Sequence, residues 1–276
     1  MGLIHRVLFA FVSGFSELLM VSADAHQMLY ITVTGCDHPG AAFVLAIHLG
    51  LLGALWVCCR TRVKELRYER RLALSIRRRR TRYPDPSALM DMRIINTAAV
   101  PVLLGLLFKN LLPEGLKTAG WIALFLLLNS VVLYIPRLFS SGNKDSLSYT
   151  MFDGLLMGLF AALGIFPGIS PLACLFSIGL LRGAEKKYSL ELSLLILLPS
   201  TLGLIAVDAY GIAISGVALT ALGFLGCVLG CVASFTGAYC AIRLLRYFCD
   251  RINTTCVAYY CGGLAVVQFL IYILIP

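Results

Sequence analysis

The sequence predicts an all-α polytopic membrane protein with six spanning helices plus two re-entrant helical hairpins in an inverted-topology repeat. Three observations predict it. The mean hydropathy is +0.89, only 13% of the 276 residues are charged, and two apolar stretches are interrupted by polar residues, glycine and proline. Soluble domains carry roughly 25% charged residues. A soluble chain of this composition would need a larger buried core than its length provides, so we expect lipid to cover much of the apolar surface.

The first interrupted stretch lies at the N-terminus. Residues 3–21 are apolar, but Gly14 and Glu17 interrupt them. The segment that follows, residues 27–34, is too short to cross a hydrocarbon core, which takes ~20 helical residues. We therefore predict that the two segments form a re-entrant hairpin and that neither spans the membrane alone.

Three spanning helices complete the first half of the chain, residues 1–135. They are predicted at residues 41–59, 94–108 and 118–135. The segment 60–93 holds Arg77-Arg78-Arg79-Arg80 and most of the net charge of +9. Lys and Arg accumulate in the cytoplasmic loops of membrane proteins. We therefore predict a basic cytoplasmic loop, because a nucleic-acid site would need stacking aromatic side chains and Tyr68 is the one interior aromatic residue of residues 60–82, where the charge is concentrated.

A polar connector at residues 136–150 leads to the second half, residues 151–276. Its first apolar stretch breaks at Pro167-Gly168 and at Pro171. Each flank of that break is too short to span, so we predict a second re-entrant hairpin. Three spanning helices follow, with a turn between the first and second. They are predicted at residues 192–207, 217–242 and 256–275, and the turn at 208–216.

Counting the crossings places the two hairpins in opposite orientations. With the basic loop inside, the first hairpin enters from outside, the second enters from inside, and both termini lie outside. Equivalent segments of opposite orientation define an inverted repeat, which places a binding site near the bilayer midplane. Ser22 and Ser170 are then counterparts. Ionisable groups at membrane depth face protein or a water-filled cavity, so we expect the two hairpins to meet at one polar site.

The polar residues of the two hairpins suit phosphate chemistry. Those of the first hairpin are Glu17, Ser22, Asp24 and His26. A glutamate beside a histidine suits proton transfer or an oriented nucleophile. In the second hairpin, a half-helix that begins near Ser170 would present free N–H groups, which bind an anion. The predicted ligand is the anionic group of a lipid or other hydrophobic molecule.

Structural roles compete with these assignments. Ser22 and Ser170 also suit helix caps, and Asp24 suits a cap or a water-facing group. His48 lies in a spanning helix and could be a packing residue. Glu191 begins a helix, where its negative charge would complement the helix dipole. We keep a set of accessory candidates. These are Ser13, Asp24, His48 and Glu191.

At these residues the chain resembles the undecaprenyl-diphosphate phosphatase family of bacitracin-resistance type. The family's first motif is roughly E-G-x-x-E-F-L-P-V-S-S-T-G-H, and residues 13–26 are S-G-F-S-E-L-L-M-V-S-A-D-A-H. The second motif is P-G-x-S-R-S, and residues 167–172 are P-G-I-S-P-L. The similarity continues at residues 47–50, around Pro101 and around Glu191.

The resemblance implies a phosphatase of the bacterial cell membrane with its site facing outside. It would remove the terminal phosphate of undecaprenyl diphosphate and so recycle the lipid carrier of cell-wall synthesis. By position, Glu17, Ser22 and His26 are the expected catalytic residues, and Ser170 and Gly168 the expected phosphate-binding residues. Mg²⁺ or Ca²⁺ is the expected cofactor. The expected partners are a polyprenyl diphosphate, membrane lipids and a second copy of the chain, with no nucleic acid.

Three of the departures from the family pattern bear most directly on the chemistry. Ser13 replaces the first glutamate, Ala23 the second serine and Pro171 the arginine. A guanidinium clamps phosphate with two hydrogen bonds, and losing one such stabiliser costs ~10²–10³ in rate. Arg182 is too far along the chain to replace it, so we expect no substitute cation. Two interpretations stay open, a phosphatase of weakened activity and a non-catalytic polyprenyl-phosphate binding protein or flippase.

Overall fold

The computed structural model describes residues 2–75, 83–139, 142–215, 221–249 and 254–274. Within these ranges the fold is built from ten α-helices and a few short 3₁₀ turns. In chain order the helices are α1 (Leu3–Glu17), α2 (Ala23–Thr34), α3 (Ala41–Leu74), α4 (Pro86–Phe108), α5 (Ala119–Tyr134), α6 (Met151–Ala162), α7 (Pro171–Leu181), α8 (Lys186–Ser215), α9 (Ala221–Phe248) and α10 (Thr254–Leu274).

Six helices of the described ranges are long and apolar enough to cross a membrane, namely α3, α4, α5, α8, α9 and α10. Apolar side chains cover their outer surfaces, as Trp121 on α5 and Phe269 on α10 illustrate. The chain is therefore an all-α, multi-pass membrane protein. The predicted fold class and the number of long apolar helices are confirmed.

The remaining four helices form two hairpins, α1 with α2 and α6 with α7. They contain 15, 12, 12 and 11 residues, fewer than the ~20 that a crossing takes. We call the turn at residues 18–22 the first tip and the turn at residues 163–170 the second tip. The helical hairpins lie where the broken apolar stretches predicted them, while their re-entry into a membrane stays a prediction.

The helices of the two halves pack in matching pairs. Helix α1 packs on α9 as α6 packs on α4, and α3 packs on α9 as α8 packs on α4. Helix α5 packs on α10, and α3 also packs on α8. Exchanging the two halves of the chain maps each of these pairs onto another pair or onto itself. The boundaries at 1–135 and 151–276, and the opposite orientation of the halves, stay predictions.

The predicted loop over residues 60–93 is wrong for most of its length. Helix α3 continues to Leu74, and α4 already begins at Pro86 with Asp85 as its N-cap. Residues 60–74 contain no glycine or proline and are rich in good helix formers, so the helix has no reason to stop at the membrane surface. The run of four arginines from Arg77 lies outside the described residues, and its cytoplasmic position stays a prediction.

The turn predicted at 208–216 is also wrong in its described part, because α8 continues to Ser215. A charged residue suggested that the helix ends at Asp208, but this carboxylate is paired with His48. Helix α9 similarly continues beyond residue 242, to Phe248. A charged residue that has a partner on another helix can therefore lie within a long helix, and it does not indicate where that helix ends.

Candidate functional site

The first tip has an unusual backbone. Met20 and Ser22 have φ values of 66° and 60°, a region that residues other than glycine seldom occupy. Such a conformation costs ~1–3 kcal/mol per residue and is found mainly at functional sites. The Ser22 hydroxyl accepts the N–H of Ala25 and caps α2. The tip therefore fixes α2 to begin at Ala23, which decides the directions of the side chains that follow.

The second tip depends on glycine. Gly168 has φ +115°, and a Cβ there would lie 2.7 Å from the carbonyl oxygen of Ile122 and 2.8 Å from Cβ of Phe125. The Ser170 hydroxyl accepts the N–H of Ala173 at 3.3 Å and caps α7. Pro171 follows at the first helical position, where its missing N–H costs nothing. The second tip is thus pressed against α5.

Asn129 of α5 joins the two tips. Its side-chain N–H₂ donates to the carbonyl oxygen of Met20 at 3.1 Å, and its side-chain oxygen accepts the N–H of Ser170 at 2.9 Å. The side chain is fully buried. Our sequence interpretation missed this residue, although an amide inside an apolar helix is a recognised sign of a bond between helices. Both tips are consequently held by one side chain.

A polar cavity of about 160 Å³, the central cavity, lies beside the two tips. Glu17 and Asp24 line it from the first hairpin, and Gly164 and Pro171 from the second. The backbone N–H of Gly168 is directed at the Asp24 carboxylate. The structure therefore brings both hairpins to one polar site, and both carboxylates line it.

A second polar cavity, the outer cavity, adjoins the first. Its volume is about 240 Å³, and His38, Lys117 and Pro167 contribute to its lining. Asp24, Gln27 and Lys109 line both cavities. The junction of the two cavities is therefore lined by a carboxylate, a side-chain amide and an ammonium group.

A chain of ionisable groups reaches the central cavity from α3, from the C-cap of α4 and from α8. His48 Nδ1 lies 2.5 Å from Asp208 Oδ2, and Lys109 Nζ lies 3.6 Å from Asp208 Oδ1. Lys109 and Pro171 line the same cavity, so a cation that the sequence did not indicate lies near the position of the missing arginine. Lys109 and Asp208 are 99 residues apart in the sequence, so no local pattern indicates this contact.

His26 does not share the cavity with Glu17. Its Nδ1 lies 2.8 Å from the Ser22 carbonyl oxygen, and its Nε2 lies 2.7 Å from the Tyr260 hydroxyl, on whose ring it stacks. It lines an apolar groove with Phe15. Residues two apart on a helix point ~200° from each other. Asp24 faces the cavity, so His26 faces away from it.

The other candidate residues hold structural contacts. Ser13, fully buried, donates to the Phe9 carbonyl oxygen at 2.7 Å and accepts from Gln27 Nε2 at 3.0 Å, which ties α1 to α2. Glu191 forms a two-point ion pair with Arg246 of α9, at 2.7 and 2.6 Å. Ser22 and Ser170 cap helices, as described above. His48 does more than pack, because it holds Asp208.

The donor set of the cavities fits a hard divalent cation that is shared with a phosphate. In the described residues, no group of three or more His, Cys, Asp or Glu side chains forms a closed metal site. Mg²⁺, however, is usually held by one or two carboxylates together with substrate phosphates. The Asp24 carboxylate and the Gln27 amide both line the junction of the cavities. This pair of oxygen donors is suitable for such an ion.

Comparison with known proteins covers nearly the whole chain. The family model of bacitracin resistance protein BacA matches residues 6–267. A relative from Methanobrevibacter smithii named undecaprenyl-diphosphatase is 27% identical over 98% of this chain and 98% of its own length. One of the same name from Idiomarina loihiensis is 26% identical over 99% and 100%. Undecaprenyl-diphosphatase 1 of Shouchella clausii is 26% identical over 98% and 96%.

Proposed function

Because the chain belongs to the bacitracin resistance protein BacA family, we propose that it is a membrane hydrolase that removes the terminal phosphate of undecaprenyl diphosphate. The observation that supports this most is the central cavity, where Glu17 and Asp24 from one hairpin face the tip of the other. We place the protein in the cell membrane, with both termini outside and the lipid product returned to cell-wall synthesis.

In the proposed reaction a water molecule attacks the terminal phosphorus, and the bond from that phosphorus to the bridging oxygen breaks. The products are inorganic phosphate and the polyprenyl monophosphate, which keeps the bridging oxygen. Glu17 is the base that takes the proton of the water, because it ends α1 at the cavity wall and is partly exposed to the cavity. General base catalysis of this kind contributes ~10²–10⁴ in rate.

The remaining candidates act around this step. The Ser22 hydroxyl caps α2 and His26 faces the apolar groove, so water is a better nucleophile here than either side chain. Ser170 is fully buried, and its N–H is already bonded to Asn129. Ser170 and Gly168 therefore shape the second tip, and the phosphate has to be held by other groups that line the cavities.

Asp24 with Gln27 would hold Mg²⁺ or Ca²⁺ at the junction of the two cavities. Such an ion, when bound, neutralises phosphate oxygens and acts as a Lewis acid on them. This assignment also explains why an anionic substrate tolerates Asp24 at a position where the family pattern has threonine.

A second candidate function is a non-catalytic carrier or flippase that binds a polyprenyl phosphate. The observation in its favour is that Ala23 lines the central cavity where the family pattern has a serine. A methyl group there removes a hydroxyl from the site. The two functions differ in whether the phosphorus–oxygen bond breaks.

The deciding experiment supplies undecaprenyl diphosphate in detergent micelles to the purified protein, with Mg²⁺ or Ca²⁺ added, and measures inorganic phosphate. We expect the wild type to release phosphate at least ~10²-fold faster than Glu17→Gln. Release equal to that of Glu17→Gln, together with retained binding of the lipid, would leave the carrier as the function.

A further inference from the structure

We propose that Lys109 supplies the positive charge that holds the terminal phosphate, in place of the arginine that the family pattern has at the position of Pro171. This inference rests on the proposed function. Lys109 and Pro171 both line the central cavity, although one is the C-cap of α4 and the other begins α7. A cation from α4 therefore faces the same space that an arginine on α7 would face.

The ammonium group of Lys109 is available to a ligand. Its Nζ lies 3.6 Å from Asp208 Oδ1, beyond the usual length of a hydrogen bond, so the attraction to Asp208 occupies at most one of its N–H donors. An ammonium carries three such donors. Its side chain is 34% exposed, and it borders both cavities. A phosphate at their junction can therefore accept hydrogen bonds from Lys109 while Asp208 stays at its present distance.

Asp208 positions Lys109, and His48 in turn positions Asp208. The short contact between His48 Nδ1 and Asp208 Oδ2, 2.5 Å, fixes the carboxylate and leaves the Oδ1 side facing the lysine. A long lysine side chain loses much conformational freedom when it binds a ligand, and a fixed neighbour of opposite charge reduces that loss. This gives a reason for the aspartate at residue 208, the one charged residue of α8 between residues 192 and 215.

The charges around the central cavity require such a cation. Glu17 and Asp24 both line it, and a diphosphate brings further negative charge. Among the described residues that line this cavity, Lys109 is the one lysine or arginine. A cation placed where negative charge develops lowers the barrier most in a site from which water is excluded.

The test compares three single variants in the phosphate-release assay, after each has been shown to be monodisperse in detergent. We expect Lys109→Gln to lower kcat/KM by ~10²–10³. Lys109→Arg keeps the charge, so it should remain within about tenfold of wild type. Lys64→Gln is the control, because this exposed lysine lies on α3 sixteen residues beyond His48, or ~24 Å along the helix. It should match wild type.

A double variant tests the substitution of arginine by lysine directly. Pro171→Arg restores the arginine of the family pattern, so Lys109→Gln with Pro171→Arg should recover at least ~10-fold of the lost activity. Asp208→Asn should raise KM more than it lowers kcat, since it only loosens the lysine. Lys109→Gln within threefold of wild type would overturn the inference, whatever the double variant does.

Binding of inorganic diphosphate separates this inference from the proposed function. If the wild type releases no phosphate, the hydrolase proposal fails, and calorimetric binding of inorganic diphosphate then decides about Lys109. We expect the wild type to bind it at least ~10-fold more tightly than Lys109→Gln, because a charge-assisted hydrogen bond contributes ~1.5–3 kcal/mol. Equal affinity of the two proteins, or no binding by either, would overturn the inference.

Discussion

The backbone N–H of Ser170 donates a hydrogen bond of 2.9 Å to the side-chain oxygen of Asn129. The amide nitrogen of the same side chain donates to Met20 at the tip of the other hairpin. Two chain segments about 150 residues apart are thereby held in one place, with the carboxylates of Glu17 and Asp24 beside them. The geometry of the site thus depends on a residue that takes no part in the proposed reaction.

Replacing this amide should weaken both the fold and the activity. Asn129→Leu leaves the Met20 carbonyl and the Ser170 N–H buried without partners, and each such loss costs ~1–3 kcal/mol. We expect a clear fall in the thermal midpoint in detergent and at least ~10-fold lower phosphate release. Ser130→Ala is the control, because the Ser130 hydroxyl bonds Ala258 of α10 and neither tip. If the two variants behave alike, Asn129 does not organise the site.

A methyl group at the second tip should not be tolerated. Gly168→Ala puts a Cβ into the backbone of α5 at a φ of +115°, which alanine adopts only at a cost of ~1–3 kcal/mol before the steric clash is counted. We expect a lower thermal midpoint and little phosphate release. Gly263→Ala in α10 meets nothing within 4 Å and should be neutral. A fully stable Gly168→Ala would show that the second tip lies elsewhere.

Glu17 and His26 should differ in their effect on the rate. Glu17→Gln removes the proposed base and should lower kcat by ~10² or more. His26→Ala loses a contact with Tyr260 in the apolar groove and should lower kcat by less than about tenfold. Both are measured by phosphate release at saturating substrate. Equal, large losses would mean that His26 leaves Tyr260 and enters the cavity when the substrate binds.

Restoring the arginine in the wild-type background should improve phosphate binding. Pro171 occupies the first position of α7, where an ordinary residue fits as well, and its side chain faces the central cavity. We expect Pro171→Arg to raise phosphate affinity or turnover by ~10-fold. Pro113→Arg adds the same charge at an exposed position and should have no effect. An unchanged Pro171→Arg would contradict the placement of the second motif at this cavity.

Apolar segments and their breaks were sufficient to predict the fold. The two hairpins follow from Glu17 and from the Pro167–Pro171 break, because neither flank of each break is long enough to cross a membrane. Helix ends were predicted less well. Charged residues such as Arg60 and Asp208 indicated ends, but helices continue through charges that find partners in other helices, as Asp208 does with His48.

The site was predicted only in part, for two physical reasons. The position at which α2 begins decides whether Asp24 or His26 faces the cavity, and a shift of one residue turns a side chain by ~100°. The positive φ of Ser22 sets the position at which α2 begins. The first tip has no glycine or other residue type that would have predicted this backbone conformation. The second reason is distance, because Lys109 and Asp208 become neighbours only when α4 packs on α8.

The most direct measurement is a cryo-electron microscopy structure of the protein with undecaprenyl diphosphate bound to the Glu17→Gln variant, which should not turn it over. We expect density for the two phosphates at the junction of the cavities, within hydrogen-bond distance of Lys109 and beside Asp24. Phosphate density in the apolar groove, between His26 and Tyr260, would contradict it.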